Sequence, residues 1–149
     1  MLRYLFLAII IFLLPATVSS DTSTAPTVIP LKILEHTLYT EIAHTPTARA
    51  QGLMYRSQLD GNSGMLFVFP KTNIYGMWML NTSIPLSVAF LDEKGVILNI
   101  ADMTPHSVTP HYSAKPAKYA LEMNLGWFAK KDIKTGVQVR GLEQAPEAE

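Results

Sequence analysis

Asp60-Gly61-Asn62-Ser63-Gly64-Met65-Leu66-Phe67-Val68-Phe69-Pro70 sets a turn cluster against five consecutive apolar residues that end at a proline. A continuous apolar run bounded in this way reads as a strand covered on both faces. Such a strand needs partners on either side, and the flanking sequence offers them. Upstream, residues 30–33 and 37–43 read as two strands. The second alternates Leu38, Thr40 and Ile42 against Tyr39, Glu41 and Ala43. Downstream, residues 76–80 and 86–92 continue the pattern, interrupted at Asn81-Thr82-Ser83 and Pro85. Asp92-Glu93-Lys94-Gly95 predicts a tight hairpin into residues 96–102, with Gly95 able to take a positive φ. Residues 118–123 and 137–139 read as further strands, and 125–132 as a short helix.

Between the second strand and the apolar run, Thr45-Pro46 supplies a helix N-cap followed by proline at the first helical position. The spacing of Ala50, Leu53, Met54 and Leu59 predicts one main helix with an apolar side, although Gly52 weakens it by about 1 kcal/mol relative to alanine. Residues 103–117 carry three prolines and two histidines without periodicity. A loop of that length inside a domain binds something or covers something, which makes it a candidate rim. The pattern predicts an α+β, β-rich domain: a curved, mostly antiparallel sheet or partly closed barrel packed against one main helix.

The chain has 149 residues, no cysteine, and 12 Lys+Arg against 12 Asp+Glu. Disulfides, thiolate metal sites and thiol nucleophiles are thereby excluded. Balanced charge without a basic run removes the electrostatic basis of general nucleic-acid binding, so no nucleic acid is expected as a partner. Met1-Leu2-Arg3, the apolar block 4–14, Pro15 and the small residues 16–20 before Asp21 have the three parts of a secretory signal. The apolar block is shorter than the ~20 residues of a membrane span. Export to the periplasm or medium is expected, with membrane contact only through the segment 1–20 before its cleavage. Removing that segment takes Arg3 with it and leaves a formal net charge of −1. Residues 21–28 and 141–149 are expected as a flexible linker and a flexible tail around a single domain, 29–140.

Four ordered motifs carry a resemblance. They are Glu41, Thr45 and Arg49-x-x-Gly52-Leu53-Met54-x-Arg56-x-x-Leu59; Gly64-Met65-Leu66-Phe67-x-Phe69; Trp78-Met79-x-Asn81-Thr82-x-Ile84-Pro85-Leu86; and Tyr119-x-Leu121-Glu122. Over residues 37–139 the chain resembles the domain-of-unknown-function 192 family. The resemblance implies a small β-rich domain, frequently with a signal peptide, and no established reaction. Ser87 stands where many members carry Asp, Gly136-Val137 where they carry Gly-Asp, and His106 where some carry Cys.

The candidate binding residues are Arg49, Gly52, Arg56, Trp78, Asn81, Glu41 and Glu122. On a helix, Arg49, Gly52 and Arg56 share one face, where two guanidiniums flanking a bare backbone admit a carboxylate or phosphate. The alternative is that the arginines fork onto Glu41, Glu122 or Asp92 as structural pairs. Trp78 beside Asn81 is a way to hold a sugar ring, the indole stacking and the amide hydrogen-bonding; the alternative is a core tryptophan and a turn-capping asparagine. Two of Glu41, Asp92 and Glu122 across a cleft have the chemistry of a glycosidase acid and base. Met77-x-Met79 has thioethers suited to copper(I), but methionine more commonly fills irregular cores. His106 and His111 have no third ligand at a recognisable spacing, so no metal and no cofactor are expected. Ser107 and Ser113 lack a nucleophile-elbow pattern. The expectation is an exported, non-catalytic envelope module for a small acidic or sugar-like ligand. The alternatives are an enzyme on envelope glycans, using a carboxylate pair, and a structural partner of another envelope protein.

Overall fold

The computed structural model describes residues 26–149; the signal segment and most of the linker lie outside them. The apolar run becomes β3, Ser63–Asn73, in the middle of a seven-stranded sheet. Around it lie β1 (Val28–Ile33), β2 (His36–Ala43), β5 (Leu86–Leu91), β6 (Ile97–Met103), β8 (Ala117–Asn124) and β9 (Val139–Arg140), in the order β6-β5-β8-β3-β2-β1-β9. A small separate ribbon pairs β4 (Gly76–Met77) with β7 (His111–Tyr112). In the large sheet β2 and β3 are parallel and the remaining strand pairs antiparallel. A parallel pair requires a crossover. Here it carries α1, Pro46–Gln51.

Strand alternation sorts the side chains into two apolar clusters. Leu66 and Val68 join Leu38, Ile42, Leu121 and Met123 on one face. Met65, Phe67 and Phe69 join Ala43, Val88 and Ala120 on the other. The sheet curls into a half-barrel around the first cluster, which also takes Trp127 and Phe128 of α2, Trp127–Lys130. At the start of β6 the curl brings the far edges together. Val139 N–H donates to Gly95 O at 2.8 Å, and Ile97 N–H to Val137 O at 2.9 Å. Gly95 has φ +78°, and a Cβ there would stand 2.5 Å from Val139 O. Only glycine fits that approach.

The second cluster lies on the outer face, beneath α1 and the segments that follow β3, β4 and β6. Here the expectation of one main helix needs correction. α1 is a minor helix of six residues, and none of them is buried. Thr45 caps it as expected, its side chain accepting from Ala48 N–H. Gly52 then adopts φ 50°, ψ −134°, a conformation no helix contains. The chain turns away, and Leu53 reaches the outer cluster from outside the helix. Among the described residues no helix is long and apolar enough to cross a membrane.

The stretch 141–149, expected as a flexible tail, includes a short 3-10 turn at Leu142–Gln144. Ala145 and Ala148 pack against the inner cluster, and Glu149 N–H donates to His44 O at 3.0 Å. β3 also continues through Pro70, where its register with β8 is broken between Val68 and Asn73. A proline has no N–H for the ladder, and a break in pairing accommodates it.

Candidate functional site

Register across the sheet sets the site. Glu41 of β2 pairs with Met65 of β3, Met65 with Glu122 of β8, and Glu122 with Val88 of β5. Paired residues share a face, so this row stands on the outer side. Glu122 is therefore an acid set among the apolar neighbours Met65 and Val88, with 3% of its surface exposed. The ion pairs among the described residues use Glu35, Glu41 and Asp132, and none reaches it. Nor does a side-chain hydrogen bond among the described residues. Burial pushes the Glu122 carboxyl up from 4.5 to about 8. At neutral pH it holds its proton and is a hydrogen-bond donor.

Glu122 faces a cleft of about 130 Å³. Arg49, Gly52 and Leu53 form one wall, Phe67 and Phe69 the floor beside the acid, and Met77, Trp78 and Thr82 the opposite side. Trp78 is half exposed at the mouth. Gly52 brings the backbone close to the floor, since a Cβ there would lie 3.1 Å from Phe67 Cζ. Four of the seven expected residues thus line one concavity: Arg49, Gly52, Trp78 and Glu122.

The other three are occupied elsewhere. Arg56 lies beyond the end of α1, so it does not share a helix face with Arg49 and Gly52. Its guanidinium forks onto Glu41, with Nη2 2.6 Å from Oε2 and Nη1 on Oε1. That hydrogen bonding raises the Arg56 pKa further. Asn81, at φ 51°, donates from Nδ2 to the Tyr55 hydroxyl at 2.9 Å and accepts the Tyr55 N–H at its backbone oxygen. It clips two turns together. Arg49 reaches no side-chain carboxylate among the described residues. It donates to the main-chain oxygens of His44, of Val68 at 3.2 Å and of Glu149 at 2.9 Å. It ties α1 to the residue after β2, to the middle of β3 and to the tail.

Other groups weighed in the sequence take local roles. Asp92 accepts from Lys94 N–H at 2.8 Å and Val96 N–H at 2.9 Å, building its hairpin. Glu41 and Glu122 are separated by β3, about 10 Å between backbones at the usual strand spacing. Met77 and Met79 are buried in the outer cluster. The long loop closes over that cluster through its backbone: Met79 N–H donates to Ser107 O, and His106 N–H to Thr82 O.

The sequence singles out Ser87 as a departure from the family pattern but does not reveal its partner. Ser87 is buried; its hydroxyl donates to Asp102 Oδ1 at 2.5 Å and accepts from Gly126 N–H at 2.8 Å. This pair borders a separate cavity of about 560 Å³ at the end of the half-barrel. The hairpin around Asp92 was the available signal, but a register shift between Phe90 and Leu91 hides which residues face each other.

Two solved structures share the architecture. One, from Sinorhizobium meliloti 1021 and provisionally named a transcription regulator, is 35% identical with a TM-score of 0.73, over 80% of this chain and 96% of that one. The other, a protein of unknown function from Novosphingobium aromaticivorans DSM 12444, is 31% identical with a TM-score of 0.74, over 79% of this chain and 94% of that one. No curated protein matches the sequence. The family profile described as "Uncharacterized ACR" matches residues 29–141, both core clusters and the cleft included. By that match the chain belongs to the domain-of-unknown-function 192 family.

Proposed function

We propose that the protein is an exported module of the cell envelope that binds a small acidic or sugar-like ligand, without catalysis, in the cleft above Glu122. One observation carries the reading: a buried acid without a partner faces a concavity with an indole at its mouth. Where the Glu122 carboxyl lines the cleft its hydrogen-bonding capacity is unused by any side chain among the described residues, and a ligand group can take it up. Arg49, Gly52, Trp78 and Glu122 would form the site, while Arg56, Glu41 and Asn81 hold its surroundings. The signal-like segment 1–20 supports the envelope location.

A fluorescence titration of the full chain tests it. Trp127→Phe leaves Trp78 as the only tryptophan, and envelope glycans and acidic metabolites are added in turn. A ligand of this cleft changes Trp78 emission and raises the melting temperature. Silence across the panel at millimolar concentration rejects the binding reading.

A further inference from the structure

The cleft is lined by polar and apolar surface in about equal shares, and its polar side chains are Arg49, Gln51, Thr82 and Glu122. Arg49 Nη1 serves the main-chain oxygens of His44 and Val68, and Nη2 that of Glu149. Thr82 Oγ1 donates to Leu80 O at 3.1 Å. Glu122, at the floor, and Gln51, on the exposed side of α1, are left with unused hydrogen-bonding capacity. The apolar part of the lining includes Leu53, Phe67, Phe69, Met77 and Trp78. The volume, about 130 Å³, approaches the ~150 Å³ of an apolar cavity that takes up benzene.

We propose that this cleft selects an uncharged ligand group of one-ring size carrying a hydrogen-bond acceptor, such as a carbonyl or amide oxygen, which accepts a hydrogen bond from the Glu122 carboxyl. The inference rests on the binding reading above and narrows it to the neutral branch. A carboxylate of the same shape would bring a second acid against Glu122 in a place of low dielectric. Arg49, already turned to three main-chain oxygens, offers it no ready fork. An ammonium group would require Glu122 to ionise among Met65 and Val88, and would add a cation beside Arg49. A neutral acceptor meets neither cost.

Benzamide, benzoate and benzylamine keep one ring and change only the charge. Each is titrated into the full chain at pH 7, read by Trp78 emission in the Trp127→Phe background and by thermal shift. Benzamide should bind about tenfold more tightly than either charged probe. Glu122→Gln, which keeps a donor, should retain benzamide; Glu122→Leu should lose about tenfold. If Glu122→Leu does not fold, the charge series and Glu122→Gln still decide. Tighter binding of benzoate or benzylamine overturns the neutral-ligand inference and leaves the binding reading standing. Binding of a panel glycan with none of the three probes overturns the one-ring inference alone. No binding of any probe or panel compound overturns both.

Discussion

At the scale of single residues, two acids in one cross-strand row behave oppositely because of what stands next to them. Glu41 meets the Arg56 fork, and Glu122 meets Met65 and Val88. The raised Glu122 value has a direct consequence for stability. Between 4.5 and about 8 the folded chain keeps a proton that the unfolded chain has released. Stability therefore falls as pH rises through that window, by up to about 1.4 kcal/mol per unit, and levels off above it. Glu122→Gln removes the titrating proton, so its melting temperature should match the parent near pH 5 and exceed it increasingly toward pH 8. Parallel curves for the two proteins across that range would show that Glu122 is not the group responsible. Arg56 belongs to the frame and not to the cleft. Arg56→Ala should lower stability by about 1–2 kcal/mol, because it strands a largely buried carboxylate. Ligand affinity, read from the same preparation, should stay within error. Loss of binding with an unchanged denaturation midpoint would instead place Arg56 in the site.

At the scale of elements, the clearest departure from the sequence is the helix. The apolar spacing from Ala50 to Leu59 has helical period, but Gly52 sits at φ 50°, ψ −134° and stops α1 at Gln51. Periodicity records which residues want burial, and a turn can deliver Leu53 to the core as well as a helix can. The same glycine allows the close approach to Phe67. Gly52→Ala should therefore cost about 1–3 kcal/mol in chemical denaturation, from backbone strain. It should also weaken ligand binding, by pressing Phe67 into the cleft. A variant as stable as the parent would mean that this backbone conformation is not maintained in solution. The strands were easier to read. β2 alternates, β3 carries an unbroken apolar run at 65–69, and the hairpin after β5 has its glycine where the backbone needs a positive φ. Legibility ended where pairing is non-local. Nothing in the order of residues says that β8 lies between β3 and β5, and that placement sets Glu122 between Met65 and Val88.

At the scale of the whole molecule, one sheet carries both clusters, so neither side can lose its strands without exposing the other. Each tryptophan reports on one side: Trp127 is buried in the inner cluster, and Trp78 is half exposed beside the outer one. Thermal unfolding followed through Trp78 in Trp127→Phe, and through Trp127 in Trp78→Phe, should each coincide with the loss of far-UV signal of the same variant. Transitions that separate would divide the protein into two cooperative units. The seven candidate residues show how far the chain could be read. Their chemistry was visible, and so was the family resemblance of the motifs that contain them. Their division into cleft and frame was not. Local order determined the β-rich character, the caps and turns, and the covered central strand, because these follow from periodicity and backbone preference over a few residues. Tertiary structure alone decided which acid is paired and which is left to face a cavity. That depends on strand order and register, which bring together residues as far apart in the chain as Glu41 and Glu122.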